Sequence, residues 1–344
     1  MAAATSPFLY VANGNGGTVT AYNLSTASTA ATIGVGIQPE GVAVSADGRT
    51  VYIANAIGGI SVIDTGTNTV TATIADNSFP AGLALSPDSH TLYAANENGS
   101  VSVIDTASNT VTATISVGGE PLDLALTPDG ATLYVPNFIS NVVSVISTAS
   151  NTVTGTIAVG SKPHYLAITP DGSTVYVDNT GNNSVSVFST ATNTVTATFG
   201  VGATPQGVAI NSSGSTVYVA NDASGTVSVI DTASNTVTGT ISGFNGPLAL
   251  AVAHVPVPAP AVTAISPASG PLSGSTSVTI TGSNFTGATA VSFRRHRGRL
   301  VHGQQRHINH GGQPGGDQRR DRGCDRHHPS GHQRDKPPRQ HSTR

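Results

Sequence analysis

The stretch VSVIDTASNTVTATI, residues 101 to 115, is one copy of a unit that the chain repeats six times, and this repetition restricts the fold more than any single residue does. One tyrosine marks each copy. Tyr10, Tyr52, Tyr93, Tyr134, Tyr176 and Tyr218 follow one another at intervals of 42, 41, 41, 42 and 42 residues. A period of about 40 residues suits one supersecondary unit per copy.

Four short runs fill each unit. An apolar run follows a proline (GVAVSADG, LDLALTPDG, YLAITPDG), and then come TVYVAN, VSVIDT and TVTATI. Each alternates and is rich in valine, isoleucine and threonine, which suit a pleated, half-buried surface; none is long enough for a helix. Between them lie turn residues such as Pro-Asp-Gly at 128 to 130 and Ser-Asn-Thr at 108 to 110. Four antiparallel strands per copy, repeated radially, make a β-propeller. The chain begins in mid-unit, with three runs between Phe8 and Ile33, and the repeats end on a lone first run, Pro247 to Val252. Those three strands and that one complete a sixth blade. Closure from both termini would remove the exposed sheet edges of an open solenoid.

LYVAN, followed by VSVIDTASNTVTATI and then by a P..LALTPDG string, resembles the YVTN family of β-propeller repeats over residues 8 to 254. The resemblance implies an all-β fold and a surface-layer or exported cell-envelope protein that binds or displays rather than catalyses. Relatives of that family commonly have seven blades, whereas six are expected here. The expected architecture is thus a six-bladed propeller over 1–254, closed by N- and C-terminal strands.

After a Pro-rich linker, 255–261, the string VTAISPASGPLSGSTSVTITGSNFTGATAVSF resembles the start of an IPT/TIG domain, an immunoglobulin-like β-sandwich. The match spans 262–293 and supplies only the first strands of such a domain. Composition then breaks. Residues 1 to 293 carry a net charge of −12, and residues 294 to 344 carry +9, with 13 of the 15 Lys and Arg, eight of the 11 His and Cys324. A basic tail ordinarily suggests an anionic partner. Here a shifted reading frame explains it better: GC-rich codons for Arg294 to Leu300, read one base later, give Ala-Ala-Thr-Ala-Ala-Ala-Ser, and later stretches give threonine-rich strand sequence. The tail 294–344 is expected to be disordered, so His327, His328 and Cys324 are not read as a metal site.

Catalytic residues are sought at the loops entering the inner strands, where a propeller enzyme would gather acids and histidines. The residues beside the repeat prolines run Gln38 and Glu40, Phe79 and Ala81, Glu120 and Leu122, Lys162 and His164, Thr204 and Gln206, Gly246 and Leu248. The ring is mixed. Glu40, Glu120, Lys162, His164 and Gln206 are its candidate binding residues; no catalytic, cofactor or metal residue is assigned, since a lone histidine is no metal site. Asp64, Asp105 and Asp231 in VIDT alternate with Ser147 and Ser189, which indicates turn geometry rather than charge. Asn55, Asn96, Asn137, Asn179 and Asn221 close TVYVAN and read as strand-end turn residues.

The expected function is a non-enzymatic binding or adhesion propeller of the cell surface, presenting its loops to a protein or glycan. An acidic propeller argues against nucleic acid. No cofactor is expected, and the propeller is taken as monomeric. The start, MAAATSPFLY, shows no signal peptide, and no run reaches the ~18 apolar residues of a spanning helix, so an extracellular or envelope location rests on the resemblance alone, with cytoplasmic retention open. The alternative is a lactonase-like hydrolase using the propeller channel. It requires at least three ionisable side chains from different blades at one channel mouth, and the propeller has a single arginine, Arg49.

Overall fold

The computed structural model describes residues 8–24, 26–247, 261–267 and 279–283. The chain divides into two compact units, Met1–His254 and Val255–Arg344.

The first unit is a six-bladed β-propeller. Blade 1 has three described strands, Phe8–Asn13, Thr18–Asn23 and Ser28–Gly34. Blade 2 runs Ile37–Val44, Thr50–Ile57, Gly59–Asp64 and Thr69–Ile74, and blade 3 runs Pro80–Leu85, Thr91–Asn96, Ser100–Asp105 and Thr110–Ser116. Ala125–Leu126, Thr132–Asn137, Val142–Ser147 and Thr152–Ala158 form blade 4; Pro163–Ile168, Thr174–Asn179, Ser184–Ser189 and Thr194–Gly200 form blade 5. Blade 6 comprises Pro205–Ile210, Thr216–Asn221, Thr226–Asp231 and Thr236–Ser242. Within each blade successive strands pair antiparallel. First strands of successive blades touch, which makes them the inner strands, while each fourth strand forms the exposed outer edge. The strand expected to complete blade 1, Pro247 to Val252, lies outside the described residues from 248 onward, as do the expected linker up to residue 260, most of the sandwich unit and the basic tail. In the second unit Ala261–Ser266 pairs antiparallel with Thr279–Ser283.

Period-two alternation explains the core. Leu133 and Val135 of blade 4 pack on Tyr93, Val101 and Val103 of blade 3, while Tyr134 between them faces Val175, Val177 and Phe188 of blade 5. Five such clusters fill the spaces between successive blades. The repeated tyrosine adds a strap: Tyr10, Tyr134 and Tyr176 donate their hydroxyls to Asn68, Asn193 and Asn235 of the following blade at 3.1, 2.8 and 2.8 Å.

The asparagines closing TVYVAN are not exposed turn residues. All five are fully buried, and their Nδ2 groups donate to Ser61, Ser102, Ser144, Ser186 and Ser228 at 2.9–3.1 Å. The serine of VSV is therefore the partner that permits an amide to be buried. The VIDT aspartates do hold turns: Asp64 accepts from the Thr67 N–H and hydroxyl at 2.8 and 2.9 Å.

One position breaks the pattern. Val35, Val117, Val159 and Val201 pack against four of the inter-blade clusters, but the corresponding residue between blades 2 and 3 is Asp76. Asp76 is 4% exposed; Oδ1 accepts from the Ser78 N–H at 3.1 Å, and Oδ2 has no partner among the described residues. A buried unpartnered oxygen costs about 1–3 kcal/mol. The Asp76→Val variant should therefore unfold at higher urea and at a temperature several degrees higher; a lower midpoint would show that the carboxylate bonds in a way the valine cannot.

Candidate active site at the channel mouth

The inner strands of blades 3, 5 and 6 start at the repeat proline, Pro39 lies near the start of that of blade 2, and Pro121 pairs with Asn137 ahead of that of blade 4, which places the residues around these prolines at one end of the channel. Gln38, Phe79, Lys162 and Thr204, the residues before four of these prolines, have φ of 56°, 60°, 54° and 54°. A non-glycine residue rarely adopts this left-handed conformation unless something holds it there. At two of them the preceding blade does: Asn141 Oδ1 accepts from the Lys162 N–H and Asn183 Oδ1 from the Thr204 N–H, both at 2.8 Å.

Two places after the proline the repeats carry Gly41, Gly82 and Gly207, but Asp123 in blade 4 and Tyr165 in blade 5. Gly82 is required where it stands, because a Cβ there would lie 2.7 Å from Asp123 Cα. Asp123 is half-buried, and its Oδ2 accepts from the Leu166 N–H of blade 5 at 3.1 Å. Asp178 replaces the alanine of TVYVAN on the second strand of blade 5 and is fully buried. Its Oδ1 accepts from the His164 and Tyr165 N–H groups at 3.2 and 2.8 Å, and Oδ2 from the Gly207 N–H of blade 6 at 2.8 Å. The two aspartates thus tie three inner strands together.

Their environment sets their protonation. Burial pushes the Asp178 carboxyl up to about 7 in spite of three N–H donors, with the Asp123 charge adding to the rise. Burial likewise pushes Asp123 up to about 6. Tyr165 is pushed up to about 12 by burial and then by the charges of Asp123, Glu40 and Asp178, so its phenol stays protonated. His164 is pushed down to about 4 by burial and is neutral at pH 7. Its Nδ1 is buried without a partner, and its ring lies 4.3 Å from Tyr165 and 5.8 Å, edge on, from Phe138.

These shifts have a consequence for folding. Asp123 and Asp178 hold protons more tightly folded than unfolded, so their burial costs least when both are protonated. Stability should fall as pH rises from the ordinary value of 3.8 through about 6 and 7. The exposed turn aspartates, including Asp64, Asp105 and Asp231, are lowered by hydrogen bonds and lose their contribution only below their ordinary 3.8. Below its ordinary 6.5 the buried, neutral His164 works the other way, one group against two, so urea midpoints should still be higher at pH 5 than at pH 8, by less than the two carboxyls alone would give. A midpoint that rises across this interval would contradict the burial of the two carboxyls.

The residues chosen from sequence sit around this centre. Glu40, on the inner strand of blade 2, accepts from Gln38 Nε2 at 3.3 Å; its surface is largely open to solvent, and partial desolvation, then the Glu97 charge, raises it. Glu97 is raised by burial and then by Glu120, whose carbonyl accepts from the Phe138 N–H at 3.1 Å. Lys162 holds Nζ 5.4 Å from the centre of the Phe138 ring, which brings it and His164 to one aromatic side chain. Gln206 is half-buried on the inner strand of blade 6. Sequence reasoning missed Glu97, Asp123, Tyr165 and Asp178, although the last three are departures from the repeat and could have been found as such.

Glu40, Glu97, Asp123 and Tyr165 come from blades 2, 3, 4 and 5; burial raises Glu40, Glu97 and Tyr165, and the charges of Glu97, Glu120 and the pair Asp123 and Glu40 respectively add to it, so the enzyme alternative keeps the ionisable groups from different blades that it requires. Arg49 takes no part. It lies at the other end of blade 2, 4.0 Å from Asp47, with both side chains exposed. Two grooves lined by Thr127, Thr169 and neighbouring turn residues also lie at that far end. Among the described residues no group of three His, Cys, Asp or Glu is placed to hold a metal ion, and no helix is long and apolar enough to cross a membrane.

Comparison with known proteins agrees. The model of the family described as lactonase, 7-bladed beta-propeller, matches residues 57–164 and 146–254, and that of the IPT/TIG domain matches residues 260–297. Among curated proteins none matches the chain. A solved structure of Kuenenia stuttgartiensis hydrazine synthase is similar with a TM-score of 0.64 and 22% identity, covering 70% of this chain and 85% of that one, a likeness of fold alone. The expectation of a non-enzymatic protein is overturned by the lactonase match, which points to a hydrolase. It failed because the repeated residues are scaffold, and reading them hid the three substitutions at the channel. With six blades where the family description gives seven, the chain belongs to the lactonase family of β-propellers.

Proposed function

We propose that this propeller hydrolyses lactones at the mouth of its channel. The observation that carries the reading is Asp123, a half-buried carboxyl that accepts from the Leu166 N–H of the neighbouring blade, whose charge acts on Tyr165 and whose proton affinity burial pushes up to about 6. A general base works best when its pKa lies near the working pH. Above about pH 6 Asp123 takes a proton from a water molecule as the water oxygen attacks the lactone carbonyl. Tyr165, protonated, donates a hydrogen bond to the developing oxyanion. When the ring C–O bond breaks, the proton on Asp123 passes to the departing oxygen, giving the open hydroxy acid and the starting carboxylate.

Asp178 is a positioning residue. Fully buried and held by three N–H groups, it cannot reach a substrate, but it fixes the backbone that carries His164 and Tyr165. The reading is tested with the full chain and glucono-δ-lactone, following acid release against pH. The rate should rise with pH along a limb near 6 and then level; a rate indistinguishable from spontaneous ring opening at every pH would refute it.

A further inference from the structure

Among the described residues the seams between successive blades are packed from blade 1 through to blade 6, but the seam between blade 6 and blade 1 is not. Where a blade meets the one before it, three positions carry the contact: Leu133, Val135 and Ile146 in blade 4, and their counterparts in blades 2, 3, 5 and 6, are all 0% exposed. In blade 1 those positions hold Leu9, Val11 and Tyr22. Leu9 is 42% exposed, Val11 is 40% exposed, and Tyr22 is half-buried. The other side of the seam is equally bare. The isoleucine near the end of the outer strand is buried in blades 1 to 4, whereas its counterpart in blade 6, Ile241, is 46% exposed, and Val229 is half-buried where Val103 and Val145 are buried. Nor can blade 1 complete the tyrosine strap. Tyr176 finds its acceptor in Asn235, in the turn after the third strand of the next blade, but at that place blade 1 has Ala27, which has no side-chain acceptor for Tyr218.

We infer that the seam between blade 6 and blade 1 is a binding surface for one further four-stranded repeat of the same chemistry. A repeat array that ends in solvent carries polar outer faces, and these two faces are apolar. A single strand added beside Phe8–Asn13 would extend the sheet of blade 1 edgewise and leave uncovered both Leu9 and Val11 and, on the outer strand of blade 6, Ile241. Each face is instead one half of a seam whose other half is a repeat. Leu9 and Val11 match the Tyr, Val and Ile by which a repeat meets the next, and Tyr218, Val229 and Ile241 match the Leu, Val and Ile by which a repeat meets the one before. One inserted repeat meets both faces together, and its turn asparagine accepts from Tyr218. The family description gives seven blades, one more than the six here. The inference is independent of the hydrolase reading.

The test uses the full chain carrying Cys324→Ser, so that an introduced thiol is the only one. Leu9→Cys should react with a maleimide nearly as fast as a free thiol, and Leu133→Cys, its counterpart at a packed seam, about a hundredfold more slowly. A separately made repeat, residues 80–116, is then added. At about ten times its Kd it should slow the labelling of Leu9→Cys about tenfold and leave that of Leu133→Cys unchanged. Adding Ile241→Asp to the chain should abolish that protection. The same repeat joined ahead of Met1 by a flexible linker is held at high local concentration, so poor solubility of the free repeat does not decide the result. Fast labelling of Leu9→Cys that neither the free nor the joined repeat slows would overturn the inference. Slow labelling before any repeat is added would overturn it too: in a monomer by sedimentation the chain covers its own seam, and in a dimer a second copy does.

Discussion

Asp123→Asn should lower kcat/KM for glucono-δ-lactone by about 10²–10⁴-fold, the range expected when a general base is lost. The amide keeps the shape of the side chain and an oxygen that can accept from the Leu166 N–H, so the tie between blades 4 and 5 survives. It cannot take a proton from water. The limb of the pH profile near 6 should vanish together with the rate, because that limb reports the same carboxyl. Unfolding of the variant should occur at the same or higher urea than wild type at pH 8, since a buried charge has been removed. Activity within threefold of wild type would exclude Asp123 as the base. A loss of rate with the limb unchanged would assign the base to another group.

Phe188→Ala should destabilise the propeller by about 3–5 kcal/mol. Phe188 is fully buried between blades 4 and 5, its ring 5.1 Å from that of Tyr134, in the cluster that also holds Val143, Val145, Val175 and Val177. The surrounding residues belong to paired strands and cannot collapse into the space. The midpoint in urea should fall with little change in slope, measured by circular dichroism or tyrosine fluorescence. A cost under about 1 kcal/mol, well below the range for such a truncation, would mean that the two blades close over the gap, and that their separation is not set by this side chain. Leucine at the same place should recover much of the loss, because the repeat has isoleucine there in four sister blades, Ile63, Ile104, Ile146 and Ile230.

The scaffold was legible residue by residue. The 41- to 42-residue spacing of the tyrosines gave the blades, and the alternation in TVYVAN and VSVIDT gave the strands with their two buried faces. Turn residues at 108 to 110 and 128 to 130 fell where the chain reverses. Less legible were the buried asparagines, whose partners lie across a strand pair six or seven residues away, a separation that does not suggest contact until the register is known. The site was legible in part. Glu40, Glu120, Lys162 and His164 lie on the segments at the channel mouth, but Asp123 and Asp178, whose charges act on Tyr165, show in the sequence only as departures from the repeat, and their burial does not show there at all.

For this protein the repeated sequence by itself determined the secondary structure, the blade count and the positions that had to be buried, because strand period and turn chemistry are local properties. Only the tertiary structure decided what the unrepeated residues do. Asp123 and Asp178 lie 55 residues apart in the chain and come into electrostatic contact through the radial packing of two blades, and the burial that raises their proton affinity belongs to that packing. Ionisation near neutrality comes from an environment assembled by blades 4, 5 and 6, and no stretch of sequence contains that environment.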